Sequence, residues 1–505
     1  MAGAPREIEL KFVIPLTRAA ETLAGVEALA HAEAKRQVST YYDTAKGALR
    51  RAGMALRVRR VGDAFTQTLK DAGDGALSRG EWESQVKGPK PELALLRGTP
   101  AGRLLPKGVR VAPTYVVEVL RRTAQVVEGE STIELAFDEG VARAGRREAR
   151  FAELELELKR GPQWGLFALA RRLAADGDLT LSFTTKAERG DALARPPRSH
   201  ARKFQAPRLS PGMTSGEAFQ AAARACLRQI AVNAERLRHR ASPEVIHQMR
   251  VGIRRLRSLI TSFKEVVADA RLASIRAELK WLAGELDAAR NLDVLLHGDY
   301  RTAVALKEDP EGLKGLGLRL RGARRMAYVR AVSAAEGERF RRLMLDLLVW
   351  IEAGAWTAAE AVGKARRRPV TRLAEDELSE RRKKILARGA KLGDLDDEAR
   401  HELRIQAKKL RYAADVFVCL YDRPKRAKAF IVALKDVQDA LGELNDLVVG
   451  ERLAHEAAGA PGRAGAASVA AAGRIAGAHK ARVGPLTARA QTVLDAFADA
   501  KPFWR

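Results

Sequence analysis

The segment HQMRVGIRRLR at residues 247–257 is written a second time as HELRIQAKKLR at residues 401–411. Counting from each histidine, His247 and His401, cations recur at +3, +7, +8 and +10: Arg250, Arg254, Arg255 and Arg257, then Arg404, Lys408, Lys409 and Arg411. At about 100° per residue, the histidine and the cations at +3, +7 and +10 share an arc of about 80° on a helix. Apolar residues take the opposite side: Met249, Ile253, Leu256 and Ile260, then Leu403, Ala407, Leu410 and Ala414. Each copy is therefore an amphipathic helix with a core face and a dense cationic face. Like charges at this spacing repel by a few tenths of a kcal/mol per pair. A polyanion relieves that repulsion, so the face reads as an anion site.

The repeat extends further. LKWLAGELDAARNLDVLL from Leu279 matches LKDVQDALGELNDLVVG from Leu434. Each unit pairs a basic helix with a second helix that runs into a polar Asn–Asp segment, Asn291 with Asp293 or Asn445 with Asp446. These are expected to turn the chain rather than brace the basic helix, because Asn and Asp mainly serve turns. The pattern predicts an all-α domain over 212–505, made of two pseudo-symmetric helical bundles at about 212–354 and 370–505. The Ala/Gly-rich stretch 457–482 reads as a weak helix or a mobile loop. The segment ARPPRSHARKFQAP at 194–207, with three prolines and several cations, reads as a linker, placed at 196–211.

Charge follows this division. Of a formal +27, residues 1–200 carry +7 and residues 201–505 carry +20. The second part favours polyanions: nucleic acid, anionic membrane or polyphosphate. The chain has 505 residues, more than one ordinary core holds. Cys226 and Cys419 sit in apolar helical context and read as buried thiols of a reducing compartment. Without an apolar leader or a long apolar span, the expected location is the cytoplasm, with no membrane partner.

Residues 1–195 differ in kind. Short alternating segments, among them EIELKF, ALRVRR, FTQTLK, RGEWESQVK, YVVEVLRRTAQVV, STIELAFDEGVA and FAELELELKR, are separated by Gly- or Asp-bearing turns. This is the signature of an antiparallel sheet or barrel. Residues two apart share a face. One face thus carries Glu7, Glu9 and Lys11; Arg57 and Arg59; Thr66, Thr68 and Lys70; Arg79, Glu81 and Glu83; and Glu153, Glu155, Glu157 and Lys159. If the sheet closes, these charges line a lumen. Carboxylate pairs suit Mg²⁺ or Mn²⁺, and the cations around them suit phosphate oxygens. That is the equipment of phosphoryl transfer. No Ser–His–Asp or Cys–His set, P-loop or paired zinc-ligand spacing is present.

Residues 6–192 resemble the CYTH family, the triphosphate tunnel metalloenzymes. The likeness rests on EIELK at 7–11 followed in order by LRVRR, TLK, RGEWE, VLRRT, IELAFDEG, ELELEL and TTKAERG. It implies an eight-stranded antiparallel tunnel that hydrolyses or cyclises triphosphates with Mg²⁺ or Mn²⁺. By position, Glu7, Glu9, Glu153 and Glu155 would hold metal, with Asp138 nearby. Lys11, Arg57, Arg59, Lys70, Arg121 and Lys186 would grip phosphates, and Arg79, Glu81 and Glu83 would join the ionic lining. The in-facing arginine of VLRRT is either Arg121 or Arg122. Thr185 stands where serine often precedes the lysine. The attacking water would be activated by metal, by Lys11 or by a lumen carboxylate.

Residues 212–505 resemble the CHAD domain on the two basic helices, His247 with Arg250, Arg254 and Arg257, and His401 with Arg404, Lys408 and Arg411. That likeness implies a cationic cavity for inorganic polyphosphate and no catalysis there. The histidines read as ligand donors that gain a second N–H on protonation. The leading expectation is a metal-dependent inorganic triphosphatase acting on tripolyphosphate or a related triphosphate, joined to a polyphosphate-binding module that can place it on polyphosphate granules. The alternatives are a non-catalytic granule scaffold, and an adenylate cyclase or thiamine triphosphatase on the same barrel. Nucleic acid is disfavoured: single-strand binders interleave aromatics with cations, and only Tyr412 lies close to a basic helix.

Overall fold

The computed structural model describes residues 6–71, 78–176, 178–195, 201–307, 309–459 and 465–505. The chain divides into two units, Met1–His200 with Arg341–Val349, and Ala201–Phe340 with Trp350–Arg505.

The first unit holds strands β1 (Arg6–Ile14), β2 (Lys35–Thr44), β3 (Ala55–Val61), β4 (Ala64–Lys70), β5 (Ser78–Val86), β6 (Val111–Glu128), β7 (Ser131–Ala144), β8 (Arg147–Arg160) and β9 (Thr180–Leu181). They lie in the order β5-β4-β3-β2-β6-β7-β8-β1-β9, and β1 also pairs with β5. Eight antiparallel strands thus close on themselves, the expected barrel. The closing register joins Arg6 to Gly80, Glu7 to Arg79 and Ile8 to Ser78. The side chains of Glu7 and Arg79 lie outside the described residues. The long hairpins β6–β7 and β7–β8 turn at Gly129 and Gly145, with φ of +58° and +57°, a conformation that costs glycine little.

Alternation then sorts the side chains. Leu10, Phe12, Phe137, Leu154 and Leu156 face away from the lumen and are at most 1% exposed. The helix Gln163–Asp176 packs against the same wall, burying Leu166, Phe167 and Ala170. Each such side chain contributes about 1.5–3 kcal/mol, and a one-residue slip would turn the whole set inward. The register is fixed accordingly. Strand β2, KRQVSTYYDT, is absent from the segments singled out by pattern, although its Val, Thr and Tyr content is strand-like.

Toward one end, the inner wall changes character. Tyr41, Tyr115, Val117, Val119, Ala142 and Phe151 form an apolar cluster, and Ala187, Leu193 and Ala194 of the helix Lys186–Ala194 pack onto it. Thr185 starts this helix with a capping box, its hydroxyl accepting from Glu188 N–H. The helix plugs that end of the barrel, and the charged lining occupies the rest.

The second unit is helical: Ser215–His239, Pro243–Ser262, Leu272–His297, Pro310–Glu336, Val370–Gly389, Asp397–Phe417, Pro424–Gly459 and Gly465–Asp499 are its longer helices. Both basic segments are helices, N-capped by Ser242 and Asp396. Their eight apolar-face residues are all 0% exposed. Two expectations are corrected, and one pair of alternatives is decided. Asn291, Asp293, Asn445 and Asp446 do not turn the chain; they lie inside the Leu272–His297 and Pro424–Gly459 helices. Of the two readings of the Ala/Gly-rich stretch, helix holds on both sides of residues 460–464, where its small side chains (Ala457, Ala458, Ala471, Ala472) are buried between closely approaching helices. Cys226 is buried, but Cys419 is exposed, in the short turn Val418–Leu420 that ends the second basic helix.

The described part of the linker, 201–211, is irregular yet pinned. The Arg202 N–H donates to Asn233 Oδ1 at 2.8 Å, Asn233 Nδ2 donates back to the Arg202 carbonyl at 2.9 Å, and Leu209 is buried.

Candidate functional site

In the barrel, register brings Lys11 opposite Glu155, Asp138 opposite Glu153, and Arg121 opposite Asp138. Arg121, not Arg122, faces the lumen. Its Nε donates to Asp138 Oδ1 at 2.7 Å, and its Nη2 donates to Asp138 Oδ2 and Glu155 Oε2, both at 2.6 Å. Lys186, from the first turn of the plug helix, donates to Glu155 Oε1 at 2.7 Å; its Nζ lies 2.8 Å from Asp138 Oδ2 and contacts Glu153. Lys11 Nζ is 2.8 Å from Glu155 Oε1 and 3.6 Å from Glu153 Oε1, with Glu9 at 3.9 Å. Asp138 and Glu153 are fully buried.

Burial alone would push the Asp138 and Glu155 carboxyls toward neutrality, but the cations outweigh it. Asp138 is held below its ordinary value by Lys186 and Arg121, and Glu155 well below by Lys11, Lys186 and Arg121. In return, burial works against charge on Lys11, yet Glu153 and Glu155 hold its ammonium above the ordinary lysine range. Asp138 and Glu155 are thus held as carboxylates beside the Lys11 ammonium. Asp138, Glu153 and Glu155 each offer an oxygen within 4.8 Å of the others.

The neighbouring wall is built from β3, β4 and β5. Lys70 Nζ is 2.8 Å from Glu81 Oε2, Arg57 Nη2 is 3.8 Å from Glu81 Oε1, and the Thr68 hydroxyl donates to Glu83 Oε1 at 2.9 Å. Arg59 makes no ion pair among the described residues. Burial, with Arg57 and Arg121 nearby, lowers its guanidinium to about 10. The Nε donors of Arg57 and Arg59 are buried without a hydrogen-bond partner among the described residues. Unmet cationic donors of this kind fit phosphate oxygens.

In the helical unit, the predicted cations separate into three groups. Arg250, Arg254, Arg404 and Lys408 converge from the two basic helices. Arg250 contacts Asp287, Arg404 lies 3.8 Å from Asp446, and His401 Nδ1 is 2.5 Å from Asn445 Oδ1. The Asn–Asp pair of the second repeat therefore braces the basic helix, the reading set aside on sequence grounds. Burial and then Arg290 depress His247 to about 4, so it is neutral at pH 7 and adds no second donor there. Arg255 and Arg411 belong elsewhere. Arg255 is 6% exposed, lies 3.9 Å from the Phe204 ring centre and 4.8 Å from that of Tyr412, and pairs with Asp415 at 3.0 Å; Arg411 pairs with Asp415 at 2.9 Å. These two form a brace, and Tyr412 is spent on it. Arg257 is exposed, and Lys409 has Glu402, Arg381, Arg257 and Glu377 as its charged neighbours.

Comparison with known proteins agrees with both geometries. One family model, the CYTH domain, matches residues 5–190, and another, the CHAD domain, matches 221–455. The chain carries a CYTH domain followed by a CHAD domain. Among curated proteins it is similar to an inorganic triphosphatase of Haemophilus influenzae, 35% identical over 157 residues, covering 30% of this chain and 44% of that protein. It is also similar to an uncharacterised protein of Mycobacterium tuberculosis, 33% identical over 221 residues, covering 41% of this chain and 40% of the other. The chain thus spans under half the length of these relatives. Among solved structures, the CHAD domain of the plant Ricinus communis superposes with a TM-score of 0.52 at 31% identity, covering 59% of this chain and 98% of that one.

Sequence reading missed two cations. In the CYTH domain, Arg189 stands over the Phe151 ring at 4.9 Å with Nη2 3.9 Å from Glu153. Its signal was the i, i+3 spacing from Lys186, visible only once TTKAERG is read as a helix start. In the CHAD domain, Arg290 and its neighbour Asp287 come from the Leu272–His297 helix. Their signal was a basic residue inside the repeated second helix, where the other copy has none.

Proposed function

We propose that the CYTH domain hydrolyses tripolyphosphate or a related triphosphate with Mg²⁺ or Mn²⁺, and that the CHAD domain binds inorganic polyphosphate around Arg254 and Lys408. The observation that carries the first part is a closed barrel whose lining sets unmet arginine donors, Arg57 and Arg59, in the same lumen as the acidic cluster of Asp138, Glu153 and Glu155. The triphosphatase name of the Haemophilus relative supports it.

The carboxylates fit a divalent cation. Asp138, Glu153 and Glu155 offer three hard oxygens within 4.8 Å, the donor type that Mg²⁺ and Mn²⁺ take, and Glu9 stands beside them through Lys11. In their present arrangement Lys11, Lys186 and Arg121 balance these charges, so an ion would enter by loosening an ammonium contact. Bound there, it would neutralise phosphate oxygens. Arg57, Arg59 and Lys70 hold the chain of phosphates and stabilise charge that develops on the transferred group. Lys11, held protonated, acts as a cation in this arrangement rather than as a base, and Asp138 and Glu155 are depressed below the range of a useful base. Positioning and charge therefore carry the reaction.

For the CHAD domain, the support is convergence of Arg250, Arg254, Arg404 and Lys408 from two helices, with Arg254 and Lys408 lacking an ion-pair partner among the described residues. Polyphosphate binding there would place the protein on polyphosphate granules in the cytoplasm. Purified protein should release phosphate from tripolyphosphate with Mg²⁺ or Mn²⁺, and Glu9→Gln should lose most of that activity. No release with either metal would overturn the enzymatic reading and leave a binding scaffold.

A further inference from the structure

Lys408 occupies an unusual position in the cationic cluster. Arg404 stands one helical turn before it on the same helix; the helices Pro243–Ser262 and Pro424–Gly459 both pack against that helix and bring Arg254, Arg250 and Asp446 as the lysine's other charged neighbours. Asp446 is the only acid of the set, and it already lies 3.8 Å from Arg404. The lysine is therefore half-buried among three guanidiniums with no carboxylate of its own. Arginines cannot relieve such crowding by losing a proton near neutrality, whereas a lysine can. His247 is not an alternative relief valve: burial first, and then Arg290, Arg250 and Arg254 against Glu244, already keep it neutral.

We propose that polyphosphate binding at this cluster is coupled to proton uptake by Lys408, so that the CHAD domain holds its ligand more tightly as pH falls. The inference rests on the polyphosphate reading above and adds its regulation. In the empty site, burial and then Arg404 and Arg254 bring the Lys408 ammonium down to about 7. A phosphate chain supplies the missing negative charge and restores the ammonium toward its ordinary range, about 10.4. The sign follows. Above pH 7 the free site has lost a charge that the occupied site keeps, so binding draws in up to one proton per site. Affinity then weakens by up to about tenfold per pH unit between the free and bound pKa values. Below pH 7 the lysine is charged in both states and the dependence flattens.

The test is titration calorimetry of the full chain with long-chain polyphosphate, whose internal phosphates stay ionised throughout. It is run in EDTA at fixed ionic strength between pH 6 and 9, in buffers of different ionisation heat. The wild type is expected to show proton uptake at pH 8 and a dissociation constant that rises above pH 7. Lys408→Arg, charged at every pH, is expected to flatten both. Lys408→Met, uncharged at every pH, is expected to flatten them as well, at weaker affinity. Binding with no uptake and no pH dependence would overturn the proton coupling while leaving polyphosphate binding intact. Uptake that persists undiminished in both variants would assign the proton to another group and equally overturn it. No binding at any pH would sink the polyphosphate reading and this inference together.

Discussion

Lys186 Nζ and Glu155 Oε1 lie 2.7 Å apart, joining the plug helix to strand β8 through a buried charge pair. Removing one partner of a buried pair leaves the other uncompensated, at about 3–5 kcal/mol. Lys186→Ala should therefore lower the thermal midpoint of the CYTH domain by several degrees, with Lys186→Met close behind. An unchanged midpoint would mean that Lys11 and Arg121 suffice to balance the wall.

The same network sets an acid limit. Asp138 and Glu155 have folded pKa values below their unfolded ones. Their contribution is present above the unfolded carboxyl value of about 4 and disappears as pH falls through the folded values. Melting curves followed from pH 7 to pH 3 should show the midpoint falling mainly below about pH 4. In the Asp138→Asn, Glu155→Gln double variant, the midpoint should be lower at pH 7 and change less with acid.

Arg59 offers a separate handle on chemistry. If it stabilises charge on the transferred phosphoryl group, Arg59→Ala should lower kcat by about 10²–10³-fold, the usual effect of one such donor, with little change in stability, since Arg59 is crowded by Arg57 and Arg121. Arg59→Lys should restore only part of the rate, because an ammonium cannot bind two oxygens in one plane. A rise in KM with kcat unchanged would instead mark a contact made equally in the ground and transition states.

Gly190 tests the plug. A Cβ there would sit 2.1 Å from Tyr115 Cδ2, so even alanine must displace the helix or the ring. Gly190→Ala should cost about 1–3 kcal/mol, measured by denaturant unfolding. Gly62, which has open space around it, provides a contrast in which only the positive φ resists substitution.

In the CHAD domain, the adjacent Arg254 and Arg255, both expected to bind polyphosphate, should behave differently. Arg255→Ala removes a buried partner of Asp415 and two ring contacts, so it should destabilise the domain by about 3 kcal/mol. Arg254→Ala relieves like-charge crowding, so it should leave the midpoint unchanged or raised while weakening polyphosphate binding and its salt dependence.

These contrasts mark what the sequence could convey. Period-two alternation located most strands, and the 3.6-residue period located both basic helices, since both follow from which face meets the core. The lumen lining was legible for the same reason: Lys11, Arg57, Arg59, Lys70, Glu153 and Glu155 share faces by parity alone. What periodicity cannot give is the neighbour across space. The adjacent Arg121 and Arg122 are told apart only by the β6–β7 register. Arg255 and Arg254 differ by one position and about 100° of helix, yet one meets Phe204 and Asp415 while the other meets Lys408. Asn445 looked like a turn residue because its usual role is local, whereas its partner here, His401, is remote in sequence.

Strand β1 is the keystone of the barrel in time as well as in space. It precedes every partner in the chain: Ile8 pairs with Ser78 and Leu158, and Phe12 with Leu154 and Leu181. While the chain is being made, Leu10 and Phe12 lie on a strand whose edge toward β8 stays uncovered until residues 147–160 have been made. Such long-range pairing makes folding slow. Glu9 and Lys11, set beside those apolar residues, keep the waiting strand charged and discourage its association with other chains. The residues read here as serving phosphate chemistry thus also protect the nascent protein, and their neutralisation should lower the yield of soluble protein before any effect on catalysis can be measured.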